Sequence, residues 1–308
     1  METFKSIMVD VDATAAAHPA LEQAVELARG SGARLTIVDV VTSDRHEQPD
    51  LSSGAEEAMV SQRRLSLTRL AHSVGGVAVE PRLLAGRPAT ALIQEVIRCG
   101  HDVIVRSRAH DIAASGPNPF GAVGLELLRK CPCAVLLVRP ARGAAHRLIA
   151  GAVDAGATDP AEQALNTKIV ELTLQIASLE GGVPMLLHAW APRSESTIRS
   201  HASGDAFQVY LEDMRKRGGA ALDRLMASFG DRMSGVQKVL RRGRAEDVIP
   251  SFAASEGIDL VVMGTLARSG LSNLLIGNLA ERILEKLPCS LLAVKPDGFV
   301  SPVRLDAI

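Results

Sequence analysis

A chain of 308 residues with 34 basic and 35 acidic side chains carries a formal charge of −1. With the two signs mixed along its length, it lacks the basic stripe of a nucleic-acid binder. Aromatics are 3% of the chain, too few for a base-stacking surface, and no apolar run approaches the 18 or so residues of a membrane span. Met1 to Lys5 leads straight into a strand, with no apolar core of a secretion signal, so a cytoplasmic location is expected. The length fits two domains of about 150 residues, each able to build its own core. The four cysteines (Cys99, Cys131, Cys133, Cys289) show no zinc spacing and read as small thiols of a reducing compartment.

Ile7 to Asp12 is the first predicted strand. Pro19 opens a helix with the face Leu21, Val25, Ala28, ending at Gly30. Leu35 to Val41 is a second strand, Thr42 to Ser53 a polar loop, and Glu56 to His72 a charged amphipathic helix. A strand follows over Val77 to Leu84, closed by Gly86. Leu92, Val96 and Ile97 mark a helix, and Val103–Val105 and Ala134–Val138 are the fourth and fifth strands. Strands alternating with helices predict right-handed crossovers and a parallel sheet covered on both faces.

Arg142 to Ala145 is a short linker, and the pattern then restarts. Leu148 to Val153 is a strand ending at Asp154, the counterpart of Asp12. Asp159-Pro160 opens a helix with apolar residues at Leu165, Ile169, Leu172, Ile176 and Leu179. Met185 to Trp190 is a strand and Phe207 to Phe229 a long helix, with a kink expected at Gly218-Gly219. Val236 to Leu240 is a strand and Asp247 to Ser255 a helix. Leu260 to Met263 is a buried strand that breaks at Gly264 and Thr265. A loop with Ala267, Arg268 and Gly270 leads to Gly277, Asn278 and Leu279, where helical spacing runs on through Ile283 and Leu287 to Pro288. Ser290 to Val294 is the last strand, and Phe299 to Ile308 an extended surface arm.

The halves are two copies of one domain. Phe120-Gly121-Ala122 and Leu127 to Pro140 line up with Ile276-Gly277-Asn278 and Ile283 to Pro296, and Gly86-Arg87-Pro88-Ala89 matches Gly243-Arg244-Ala245-Glu246. The expected domains are 1–142 and 143–308.

Strand, glycine loop, helix, strand is a ligand-binding unit in an open parallel sheet, because ligands sit beyond the carboxyl ends of the strands. Gly264 and Gly277 let backbone N–H groups approach a phosphate, and Gly277-Asn278 lies where a helix start favours an anion. The structural alternative is that Gly264 only ends a strand and Gly277 only packs helix on sheet. Arg268 either neutralises phosphate or is a solvated loop charge. His101 and His188 read as structural.

The chain resembles the tandem universal stress proteins of bacteria, their E type in particular, end to end. The matching pieces are Leu92 to Asp102, Leu127 to Pro132, Gly277 to Glu281, Val294 to Asp297 and Ser301 to Val303. The resemblance implies a five-stranded, Rossmann-like parallel sheet per domain and pairing of the domains through the last strand. In the family's nucleotide-binding branch it implies ATP. That branch has the pattern Gly, two residues, Gly, nine residues, Gly, then Ser or Thr. Here the spacing is kept by Gly264, Ala267, Gly277 and Asn278, with alanine and asparagine as departures. The first half reads Ser107, His110 and Gly121 with shifted spacing, so its site is expected to be degenerate. The resemblance also places Asp154 at the border of the nucleotide pocket.

No P-loop, GxGxxG, GxSxG or HExxH motif is present. Without a phosphate lysine or a clear base, ATP hydrolysis has no obvious agent. The expectation is therefore a stress-response binding and signalling protein. It would take ATP, with or without Mg²⁺, in its second half, pair its two halves internally, and be able to form a homodimer. The rivals are a binder of an apolar or phosphorylated metabolite, for which Trp190 and the loop Leu271 to Ile276 would serve, a slow ATPase, and a structural scaffold.

Overall fold

The computed structural model describes residues 4–42, 53–107, 121–139, 147–192, 204–265 and 278–305. Among the described residues ten strands form one sheet: β1 Ser6–Asp10, β2 Arg34–Val41, β3 Val79–Ala85, β4 Val103–Ser107, β5 Ala134–Val138, β6 Leu148–Ala152, β7 Val183–Trp190, β8 Gln237–Arg242, β9 Leu260–Gly264 and β10 Ser290–Val294. Their order is β3-β2-β1-β4-β5-β10-β9-β6-β7-β8. Each half is a five-stranded parallel sheet of the same topology. The halves meet where β5 and β10 run antiparallel, with Leu137, Leu136 and Val135 opposite Leu291, Leu292 and Ala293.

Among the described residues eight α-helices cover the sheet: α1 Pro19–Ser31, α2 Ser53–Ser73, α3 Pro88–Cys99, α4 Gly121–Lys130, α5 Pro160–Glu180, α6 Gly204–Ala227, α7 Ala245–Ser255 and α8 Asn278–Lys286. Local chemistry sets several ends. α1, α3 and α5 each begin with proline in the first turn, and Gly32, Gly100 and Gly181 close them in the left-handed conformation, which glycine adopts without a Cβ penalty. Asp159 caps α5 by accepting the Ala161 and Glu162 amides.

Each face of the sheet carries its own core, and each core spans both halves. One contains Leu21, Val25, Ile169, Ile176, Leu136 and Leu292 under α1 and α5. The other contains Leu92, Val96, Leu127, Val135, Phe252, Ile283 and Leu291 under α3, α4, α7 and α8. Nearly every residue of the central strands is buried, as expected for a sheet covered on two faces.

Two expectations need correction. α1 runs past Gly30, because Gly32 is the residue with positive φ. α6 is unbroken through Gly218-Gly219; those glycines bring the helix close to His188 and Leu240 instead of kinking it. The carboxyl-terminal arm is extended on the surface, as expected, and is tied to the first half. Ser301 Oγ donates to the Lys130 carbonyl at 2.7 Å and Gln94 Nε2 to the Arg304 carbonyl at 2.9 Å, so the arm crosses from the second half onto the first. The linker 142–145 lies outside the described residues.

Candidate functional site

The strand order reverses between β1 and β4 and between β6 and β9, and crevices for ligands form at such points, beyond the carboxyl ends of the strands. In the second half Asp154 follows β6 and Gly264 ends the adjacent β9, so the fold brings together two residues 110 positions apart. Asn166 of α5 clamps Asp154: its Oδ1 accepts the Asp154 amide at 3.0 Å and its Nδ2 donates to the Asp154 carbonyl at 2.7 Å. His188 of β7 is buried beside it, with Nδ1 donating to the Val153 carbonyl at 3.1 Å and 3.4 Å from the Ala155 amide. Burial lowers the His188 pKa, so the ring is neutral at pH 7. A Cβ added at Gly218 would lie 3.6 Å from that ring. α6 therefore approaches this end of the sheet with no side chain there.

The first half fills the same place with charge. Asp39 of β2 stands where His188 stands in β7, as the registers Asp10–Val38 and Ala152–Leu187 show. Arg63 of α2 reaches over the strand ends and holds Asp39 with two bonds of 2.9 and 2.7 Å, its second terminal nitrogen also lying 3.4 Å from Asp12. The side-chain hydrogen bond to Asp39 raises the Arg63 pKa, against desolvation. Beneath it Arg106 pairs with Asp10, both buried. Their counterparts in the second half are Met263 and Ala152.

Two of the residues expected at the site have structural duties. A Cβ at Gly264 would come within 2.6 Å of Leu165 Cδ2, so this glycine makes room for α5. Thr265 is fully buried. Its amide donates to the Val294 carbonyl at 3.3 Å, and its hydroxyl accepts from Lys295 Nζ at 2.9 Å. Lys295, which also donates to the Leu128 carbonyl, has its pKa pushed by burial down to about 8. Asn278 and Leu279 open α8; Ala267, Arg268, Gly270 and Gly277 lie outside the described residues. Trp190 is buried in a small cluster with Phe207 and Leu211, and the loop Leu271 to Ile276 is outside the described residues. Sequence reading missed Asn166, Arg63 and Lys295. A buried polar helix residue (Asn166), an arginine in a charged helix (Arg63) and a lysine directly after an apolar strand (Lys295) were the available signals, but which groups they meet depends on topology.

The universal stress protein family model matches residues 3–139 and again 152–295. The chain therefore belongs to the universal stress protein family, a family of stress-response proteins, in its tandem form. It is 29% identical over 316 residues to Universal stress protein E of Escherichia coli strain K12, covering 99% of this chain and 98% of that one. Among solved structures it is similar to a functionally unknown protein from Pseudomonas aeruginosa PAO1, with a TM-score of 0.72 and 24% identity over 96% of this chain and 93% of that one. It also resembles a universal stress protein from Archaeoglobus fulgidus, with a TM-score of 0.60 and 14% identity over 94% and 98%. These two likenesses are of fold. Among the described residues no helix is long and apolar enough to cross a membrane.

Proposed function

We propose that this protein is a cytoplasmic stress-response binding protein whose second half, residues 143–308, takes an adenine nucleotide of the ATP type with Mg²⁺. The first half, residues 1–142, is its structural partner. The observation that carries this reading is the contrast between equivalent strand ends. The first half places an arginine and two carboxylates there, whereas the second places Asp154, a neutral His188 and the backbone of Gly218. An end crossed by an arginine already bound to its own carboxylates has no free cation and no space for a phosphate. The other end keeps a space lined by backbone and a neutral ring, where Mg²⁺ would offset Asp154 beside the phosphates. Asp154 borders the sugar-phosphate part. The backbone from Gly264 through Ala267, Arg268, Gly270 and Gly277 forms the phosphate loop, and Asn278 and Leu279 supply the positive end of α8. Thr265 fixes the root of that loop from inside the fold. Mg²⁺ would neutralise the phosphates.

The protein is a binder rather than an enzyme, since the sequence offers no phosphate lysine or general base. Any turnover is expected far below the usual range of about 1–1000 per second. With β5 and β10 covering each other, a homodimer of whole chains has to use another surface. The test is a titration of the full chain with ATP and Mg²⁺, read by calorimetry and thermal unfolding. At about a hundredfold excess over its dissociation constant the ligand adds about 2.7 kcal/mol, and Asp154→Asn weakens binding without unfolding the chain. No heat and no shift with any adenine nucleotide would overturn the reading, leaving a metabolite without adenine as the occupant.

A further inference from the structure

At the opposite, amino-terminal end of the first sheet, three side chains of metal-binding type converge. Glu95 and Cys99 lie one turn apart on α3 and so share a face. Gly100, at φ 64°, ends the helix in the left-handed conformation, and the chain turns to place His101 against the same group. One ligand atom from each of the three lies within 4.8 Å of the others. Glu95 is 1% exposed and His101 6%.

A second observation is independent of the cluster itself. His101 Nδ1 is hydrogen-bonded to Ser6 Oγ at 2.8 Å, while its Nε2 is buried with no hydrogen-bond partner. A buried polar atom left unpaired is costly. A ring oriented through one nitrogen with the other vacant is how metal-binding histidines are presented.

We propose that Glu95, Cys99 and His101 form a binding site for a zinc-type divalent cation, independent of the nucleotide reading. Thiolate, imidazole and carboxylate together suit zinc rather than magnesium or calcium. Three protein ligands leave a fourth position, and a cavity of about 430 Å³ lined by Cys99, His101, Ser6 and Arg82 adjoins it. The site also sits at the carboxyl end of α3, where the helix dipole favours a cation. On binding, the Cys99 thiol releases its proton to solvent and its sulfur bonds the metal.

Two arginines oppose the ion. Arg98 holds Glu95 Oε2 at 2.9 Å, and Arg82 holds Glu95 Oε1 at 2.7 Å and lies 3.4 Å from Cys99 Sγ. Arg82 already makes two bonds to Glu80, at 3.0 and 2.8 Å. It can stay with Glu80 when Glu95 turns to the metal. Arg34 and Asp102 also face His101, with opposite effects on it. The pattern Glu-x-x-x-Cys-x-His carries no signal by itself, because it has one cysteine and matches no paired-thiol spacing.

The test strips the full chain with a chelator and titrates it with Zn²⁺ and, as a spectroscopic probe, Co²⁺. One equivalent is expected to bind, with Co²⁺ giving a thiolate-to-metal charge-transfer band. Cys99→Ser abolishes the band, and His101→Gln, which can keep the Ser6 contact, weakens binding by about tenfold or more. Cys131→Ser with Cys133→Ser, which removes a close thiol pair outside the site (3.5 Å apart), leaves binding intact. Absence of stoichiometric binding, persistence of the band in Cys99→Ser, or its loss in the Cys131/Cys133 variant would each overturn the proposal. Circular dichroism of each variant separates loss of the site from loss of the fold.

Discussion

Lys295 and Asp39 show how a single buried charge is held. The Lys295 ammonium is 2% exposed, and burial lowers its pKa from the ordinary 10.5 to about 8. Between those values the folded protein holds fewer protons than the unfolded chain, so this group makes stability rise with pH across that window and adds a constant penalty below it. Lys295→Met should remove that slope. The stability difference between parent and variant, measured by urea unfolding at pH 8, 9 and 10, is expected to move in the parent's favour by up to about 1.4 kcal/mol per unit. A flat difference would mean that Lys295 titrates normally. Arg63 poses the opposite case, since its partner Asp39 is 2% exposed in its side chain. Arg63→Met strands that carboxylate, and breaking a buried pair from one side costs about 3–5 kcal/mol. Arg63 is itself a quarter exposed, so the lower end is expected. Asp154→Asn should cost far less. Equal losses at the two positions in denaturant unfolding would contradict the contrast drawn between the two strand ends.

At the level of elements, α5 is the difference between the halves. It has 21 residues where α1 has 13, and its extra turns lie over the ends of β6 and β9. That cover requires small residues in the strands beneath. A Cβ at Gly151 would meet Thr173 Oγ1 at 2.5 Å, and one at Gly264 would meet Leu165 Cδ2 at 2.6 Å. Gly264→Ala should therefore destabilise by about 1–2 kcal/mol through overpacking, and Leu165→Ala should relieve most of it. A double-mutant cycle reads the coupling, and strictly additive losses would show that the two residues do not meet. This packing gives Gly264 a structural reason to be glycine whether or not a phosphate lies above it. Nucleotide affinity therefore has to be tested at Asp154 and in the loop.

Across the whole molecule, the antiparallel β5–β10 seam decides the shape. Each is the outermost strand of its own half, and a bare apolar edge invites pairing with another chain. Covering each other removes both edges, and Gln23 Nε2 of α1, donating to Glu180 Oε1 of α5 at 2.7 Å, adds a tie across the seam. Leu136→Pro removes a strand N–H in β5 and should loosen the seam. Amide exchange over residues 290–294 is then expected to quicken in the variant. Unchanged protection there would mean that the halves are held together elsewhere, with the arm from Phe299 to Leu305 the next place to look.

The alternation of strands and helices, the repeat and the helix ends at proline and glycine were all written locally, because apolar period, ring closure and positive φ act over a few residues. Those features alone determined the fold class and marked Asp154 and Gly264 as strand-end residues. Only the tertiary structure decided that Arg63 reaches Asp39 and Asp12, that Asn166 clamps Asp154, that Lys295 meets Thr265, and that Glu95, Cys99 and His101 converge. Each of these depends on which strands are neighbours and on where a helix axis passes. The order of strands is set by burial of two faces at once, a property of the assembled sheet and not of any one segment.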